Sequence, residues 1–517
     1  MNRQLKGALF VFAIGVFMAA LDNGIITASL TTLIYAFDVS ATWGSWTITL
    51  YTLGLAISVP IVGKLSDQFG RKRLFMIEVA LFGIGSLCVA LSPTFPLFLA
   101  SRFLQSLGGG GIFIIASSYV LNTFPKDKQG RALGLIGGMN GIAAILGPNL
   151  GAIILQATGN WHWLFLINIP ISVLLLIIGG RFIKEEQELV KEKMDWAGIV
   201  FLTTAVLSLM YSLTLLEGED LFKSLLKPTF FTFFLLAIVL FAVLFQVEKR
   251  VGATREPILP MTLMKTPTFR WTLLLASFSG MILASVIFIP GFIEQYLNIP
   301  REQAGYWFTP LALASGIGAG GGGTLVDKKG PIYTLVTASL LALTGFLLFP
   351  LWVESLWQMA VASSFVGAGF GMMLGAPINV LATENTSERK GIALGTTSLF
   401  RQLGMTIGPT MYAGFLARSL TNVEEKVYNH LPNEAVPAQA GVTFYMPEGE
   451  GLQEKDYQSI KSTFEVIQDE EIRQSMLSGL HQVVGSGYNG LFLSSFCISL
   501  LALLGTLRLR KLRKMSS

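Results

Sequence analysis

Apolar runs long enough to cross a membrane, parted by short charged hinges, take up almost the whole chain. About twenty apolar residues in a row, wound as a helix, match a hydrocarbon core about 30 Å thick. Such runs lie near residues 7–35, 44–62, 74–92, 96–122, 131–157, 162–182, 196–216, 228–247, 271–296, 302–324, 331–351, 356–383, 391–417 and 487–507, which predicts fourteen transmembrane helices. The first run follows Arg3 and Lys6 but is too long for a signal-peptide core, so it reads as a helix that stays in the protein. Only residues 418–485 break the pattern. There Tyr457, Ile460, Phe464, Ile467, Ile472, Met476, Leu480 and Val483 recur mostly every three or four positions, predicting an amphipathic helix within 454–484 and a pair of short helices joined by a loop from Pro432 to Pro447.

One hinge, Gly63-Lys64-Leu65-Ser66-Asp67-Gln68-Phe69-Gly70-Arg71-Lys72-Arg73, returns as Gly323-Thr324-Leu325-Val326-Asp327-Lys328-Lys329-Gly330. Two further landmarks keep almost the same spacing: Gly130-x-Ala132-Leu133-Gly134 returns at Gly391-x-Ala393-Leu394-Gly395, and Gly147-Pro148 at Gly408-Pro409. A single Gly-Asp-Gly hinge says little, but three landmarks at one offset indicate a tandem duplication. The expected organisation is an all-α integral membrane protein: a six-helix bundle in 1–182, two additional helices in 183–270, and a second six-helix bundle in 271–517 that carries the insertion 418–485.

Composition agrees, since 52% of the 517 residues are hydrophobic and 13% charged, against about 25% charged in soluble domains. The net charge of +5 points to topology rather than to nucleic acid. With the N-terminus in the cytoplasm, Lys64, Arg71, Lys72, Arg73, Lys126, Lys128, Arg131, Arg181, Lys184, Lys328, Lys329 and the tail from Arg508 to Lys514 all fall inside, and the short outer loops keep Lys223, Lys227 and Arg301. Both termini are then cytoplasmic and the acidic insertion 418–485 is extracellular. Cys88 and Cys497 lie in separate apolar runs, which reads as two packed thiols and no metal site. No Walker A sequence and no His-Glu-x-x-His occurs, so neither an ATP-driven pump nor a metalloenzyme is indicated.

An ionisable residue deep in a membrane helix is expensive and therefore a functional candidate. Asp22, near the middle of the first helix, is the foremost, with Asn23 or Thr27 as the partners a merely structural carboxylate would use. Arg102 has no charged counterpart in the second repeat, where Ser363 stands, and Asp22 likewise meets Ile282 or Leu283. Proton coupling is accordingly placed in the first half, on Asp22, Arg102 and Glu78, the last of which could equally snorkel to the surface. Glu294 and Gln295 are placed where a cationic substrate would meet them, and Asp22, Trp46, Tyr51 and Arg401 complete the substrate-binding candidates.

With the repeated hinge, the chain resembles the major facilitator superfamily. The count of six, two and six, together with Leu21-Asp22, Trp46, Tyr51, the run Trp161 to Pro170 and Asp195-Trp196-x-Gly198, resembles its fourteen-helix drug:proton antiporters of the multidrug and tetracycline type. That resemblance implies several roles. Arg102 in Arg102-Phe103-Leu104-Gln105-Ser106-Leu107-Gly108 would serve proton transfer, with Ser106 standing where the family has glycine and loosening the packing. Gly147, Pro148 and Gly151 would form the antiporter motif, which marks exporters. Gly63, Asp67, Gly70, Arg71, Lys72, Asp327 and Gly330 would form the conformational switch, Asp67 meeting the helix that starts near Pro331 when the cytoplasmic side is closed. The expected function is proton-coupled export of lipophilic, foremost cationic, small molecules across a bacterial cell membrane, by a monomer with no cofactor beyond the proton gradient, no metal and no nucleic acid partner. A same-fold transporter of a lipid, lipid-linked sugar or metabolite is the alternative, and a receptor using the 418–485 loop a distant one.

Overall fold

The computed structural model describes residues 3–185, 195–216, 221–251, 261–300, 306–384, 386, 390–420, 427, 461, 464 and 469–516. The predicted helix pair around Pro432 to Pro447, most of the insertion, and Arg301 lie outside the described residues. Twenty helices are present among them: α1 Arg3–Phe37, α2 Ala41–Phe69, α3 Arg71–Ala90, α4 Phe95–Gly110, α5 Ile112–Thr123, α6 Lys126–Thr158, α7 Trp163–Leu166, α8 Asn168–Phe182, α9 Trp196–Thr214, α10 Leu221–Leu226, α11 Pro228–Val251, α12 Met261–Met264, α13 Pro267–Val286, α14 Ile289–Gln295, α15 Thr309–Lys329, α16 Pro331–Trp352, α17 Leu356–Gly375, α18 Pro377–Thr383, α19 Lys390–Leu420 and α20 Glu470–Ser516. Among the described residues, eleven stretches are long and apolar enough to cross a membrane, twelve with the bent α6 counted.

Local chemistry explains the breaks. Gly70 and Gly330, equivalent in the two repeats, take φ of 90° and 88°, a region in which a Cβ is strained, and each starts the next helix directly. α6 bends by 45° between Ala143 and Leu146, where Pro148 supplies no N–H and its ring presses on the carbonyl four residues back. Two sequence expectations change. Of the run expected at 302–324, residues 302–305 lie outside the described residues; a 3-10 turn at Tyr306–Phe308 leads into α15 at Thr309, where Pro310 favours an α-helix start. The last span and the end of the amphipathic stretch are one 47-residue helix, α20. No proline interrupts it, and Met476, Leu480, Val483, Val484, Tyr488 and Leu491 form one continuous buried face. Val427 and Phe464, also from the insertion, are buried in the same apolar core. Both cysteines, expected as packed thiols, are exposed on the outside of the bundle.

The apolar core is divided. One cluster draws on residues 275–509, and two others are built almost wholly from the first 183 residues. Between these parts run two glycine-lined crossings. In one, Gly130, Gly134 and Gly138 of α6 face Gly323, Ala319 and Gly316 of α15; in the other, Gly63 of α2 faces Gly391 and Gly395 of α19. Missing side chains let the backbones touch, the usual device of membrane helix packing. A Cβ on Gly134 would press on the Ala319 carbonyl and come within 3.0 Å of Gly323 Cα, whereas one on Gly320 would meet nothing within 4 Å. Gly134→Ala is therefore expected to cost about 1–3 kcal/mol through overpacking, while Gly320→Ala gains about 0.5–1 kcal/mol of helix propensity. Thermal unfolding in detergent checks the opposite signs.

α9 and α11, the additional pair, pack against one crossing only. Leu202, Val206, Met210 and Leu213 of α9 and Leu244 of α11 share a buried cluster with Leu53 and Ala56 of α2 and Leu399 of α19.

Candidate functional site

Five helices converge on one buried polar cluster. Asp22 on α1, Tyr51 on α2, Ser86 on α3, Arg102 and Gln105 on α4 and Asn168 at the start of α8 are each at most 1% exposed. Arg102 Nη1 donates to Asp22 Oδ2 at 2.7 Å and to Gln105 Oε1 at 2.6 Å. Asp22 Oδ1 accepts from Gln105 Nε2 and Asn168 Nδ2, both at 2.9 Å. Ser86 Oγ ties the cluster together by accepting from Gln105 at 2.6 Å and Asn168 at 3.3 Å. Arg102 Cζ stands 4.0 Å from the Tyr51 ring centroid, a cation–π contact strengthened by burial. Asp22 thus has a cation and two amides as partners rather than Asn23, which is exposed; the Thr27 side chain lies outside the described residues.

The cluster joins its helices around one carboxylate, which bonds directly to α4 and α8. Asp22 and Arg102 form a fully buried pair. Arg102 Nε and Asn168 Oδ1 have no hydrogen-bond partner among the described residues, so the cluster is not a closed set of bonds. The Ser106 departure loosens nothing. Its hydroxyl donates to Phe103 O at 2.7 Å and its side chain fills the space beside Gly54 on α2.

The other candidates are dispersed. Glu78 does not snorkel: it is 4% exposed, turned inward, and accepts from the Gly111 N–H at 3.1 Å, at the break between α4 and α5. Trp46 stacks on Tyr211 of α9 with centroids 6.0 Å apart. Gln295 accepts from the Tyr488 hydroxyl at 3.0 Å, and Glu294 beside it is half-buried. Arg401 lies in α19, 7% exposed. Gln105 and Asn168 were within the motifs read from sequence but without an assigned role; Ser86 carried no signal at all, since serine is common on packed helix faces.

Asp67 and Asp327 form a pair of latches. Asp67 Oδ2 accepts from the Ile392 N–H at 3.1 Å, in the first turn of α19 and not at Pro331 as expected; the repeat preserves order along the chain and does not reveal which helix end lies opposite. Asp327 accepts from the N–H groups of Gly130 at 2.7 Å and Arg131 at 3.0 Å, in the first turns of α6. Both carboxylates therefore meet positive helix ends across the two crossings. Arg71 steadies the first latch, donating to Asp67 Oδ1 at 2.9 Å and Ser118 Oγ at 2.8 Å, and Lys390 Nζ donates to Leu121 O at 2.6 Å. Lys72 Nζ reaches Gly180 O at 2.8 Å. Gly147 packs on Gly24, and Gly151 lies against Ile25, so the motif around Pro148 joins α6 to α1.

Residues 12–409 match the family description Major Facilitator Superfamily. This chain belongs to that superfamily. It is 50% identical over 503 residues to an uncharacterized MFS-type transporter, YfiU, of Bacillus subtilis (strain 168), a match covering 97% of this chain and 96% of that one. Multidrug resistance protein 3 of the same organism is 30% identical, with 82% and 81% covered. Among solved structures, the human organic anion transporter MFSD10 aligns with a TM-score of 0.57 at 15% identity, over 96% of this chain and 100% of that chain. The proton:xylose symporter XylE aligns at 0.60 and 14%, over 96% and 94%; both show the fold. As a major facilitator, the chain is a multi-pass membrane protein of bacterial type that moves small molecules by secondary active transport, and it is not an enzyme.

Proposed function

We propose that this facilitator is a proton-driven exporter of lipophilic small molecules, cations among them, working as a monomer by alternating access. The observation that carries the reading is the Asp22–Arg102 pair, a buried carboxylate held by a group that cannot itself release a proton. Multidrug resistance protein 3 and the multidrug transporter protein MdtP of Bacillus subtilis, 30% and 28% identical, support the substrate class. In this reading α15 and α19 also span the membrane, their glycines lowering their apolarity, which makes fourteen spans: six in 1–182, two in 183–270 and six in 271–517. An even count leaves both termini on one side, and the basic hinges support taking that side as the cytoplasm; in this reading the two latches are cytoplasmic, 418–485 is outside, and the described state is closed on the cytoplasmic side. A proton entering down about 100 mV and one pH unit supplies roughly 2.3 plus 1.4 kcal/mol.

Proteoliposomes with an imposed proton gradient test the reading. Cationic dyes, quaternary ammonium compounds and tetracyclines are each expected to move protons when added to the wild type; no proton movement with any of them sinks it. A second reading of the same fold, transport of a lipid, lipid-linked sugar or metabolite, is favoured by one observation, the buried Arg401, whose charge suits an acidic headgroup better than a cation.

A further inference from the structure

Three arginines are buried among the described residues of the helix bundle, and two are balanced. Arg102 faces Asp22 and Arg71 faces Asp67. Arg401 has no such neighbour: its Nε and Nη2 are buried and have no hydrogen-bond partner among the described residues. An unpaired guanidinium away from water is costly. The helix itself is held by backbone contacts at Gly280 and Gly404, where α13 and α19 touch, so the side chain is not needed to hold the two together.

Its position shows what it faces. The Arg401 guanidinium lies 6.0 Å from the ring centroid of Phe113 on α5, across from its own part of the core, so it stands where the first and second halves of the chain meet. One turn further along α5, on the face that Phe113 occupies, Ser117 Oγ is buried and likewise without a partner among the described residues. One repeat length earlier, Asn140 occupies the equivalent place on α6, so the charge is confined to one side of the meeting surface. A planar fork of donors, a hydroxyl and an aromatic face are the elements that bind a carboxylate or phosphate attached to an apolar body.

Resting on the transporter reading, we propose that Arg401, with Phe113 and Ser117, is the subsite for the acidic headgroup of an anionic amphiphile, taken up as the two halves part. The chain then handles lipophilic anions or zwitterions at this place and lipophilic cations elsewhere.

The test uses the purified full chain in an uncharged detergent with two fluorescent probes: a dansylated long-chain carboxylate, and the same molecule with a quaternary ammonium in place of the carboxylate. Arg401→Met is expected to weaken the carboxylate at least about tenfold and to leave the ammonium unchanged or tighter, while Arg401→Lys keeps most of the carboxylate affinity. Equal binding of the carboxylate to wild type and Arg401→Met overturns the proposal. Displacement of the probe by millimolar inorganic phosphate would mark a site for free anions and overturn the headgroup assignment. Removing an unpaired buried charge is expected to leave the unfolding midpoint level or higher; a large fall would show that Arg401 is structural. Binding requires no proton movement, so failure here leaves the Asp22 reading standing, and failure of proton flux leaves this test intact.

Discussion

Asp22→Asn is expected to reduce substrate-driven proton movement to background, a loss of at least about a hundredfold or ~2.7 kcal/mol, and to lower stability at the same time. Removing the charge leaves Arg102, fully buried and 2.7 Å from Asp22 Oδ2, without its counter-ion, and breaking one side of a buried pair costs about 3–5 kcal/mol. The asparagine can keep its oxygen toward Gln105 Nε2 and Asn168 Nδ2, which both donate to Asp22 Oδ1, but its NH2 then faces the Arg102 Nη1 donor. Stability loss alone could therefore mimic a loss of coupling, and a second variant separates the two. Asp22→Asn combined with Arg102→Met removes both charges, so its unfolding midpoint should recover most of the loss, since an apolar replacement of a buried pair is often neutral or better. Proton movement should stay at background in the double variant. If it returns with stability, the pair is structural and the titrating group lies elsewhere, Glu78 being the next carboxyl to test.

Neutralising both latches, Asp67→Asn with Asp327→Asn, is expected to open the end of the molecule that they close. Each carboxylate meets backbone N–H groups in the first turns of a helix on the other side of a crossing. A charge at such a position contributes about 0.3–2 kcal/mol, so losing both shifts the ratio of closed to open by about threefold to several hundredfold. Spin labels at Arg73→Cys and Lys328→Cys, two exposed positions flanking the crossings, read the change as a longer distance population. Cys88 and Cys497 are exposed and must first be replaced by serine. An unchanged distance distribution would show that the glycine contacts alone hold this end shut.

Much of this was legible in the chain. Apolar run lengths located the helices because a bilayer fixes how far a span must reach, and the repeat spacing singled out Asp67, Asp327 and the glycine landmarks, though not that those glycines meet across two helix crossings. Asp22 and Arg102 stood out because charge in an apolar run is rare. What escaped was pairing between distant segments. Nothing local distinguishes Ser86 from other helix serines, yet it joins Gln105 to Asn168. The partner of Asp67 was placed at the wrong helix because two helix starts, Pro331 and Lys390, both follow it in the second repeat and only packing selects between them. The fusion of the last amphipathic stretch with the last span was hidden by its serines and glycines, which signal loops in water but pack well against membrane helices.

The additional helices make the two flanks of this transporter unequal. α9 and α11 wall the crossing of α2 with α19, whereas beside the crossing of α6 with α15 the surface carries Leu135, Leu313 and Ile317 outward, 45%, 61% and 75% exposed. A shallow apolar hollow lined by Tyr306, Trp307, Thr309, Pro310 and Leu313 lies on that same flank. A solute dissolved among the lipid tails therefore meets bare apolar helix faces beside one crossing and the additional helices beside the other. The two crossings thus present different surfaces to the bilayer, one shielded by a second layer of helix, the other in direct contact with lipid.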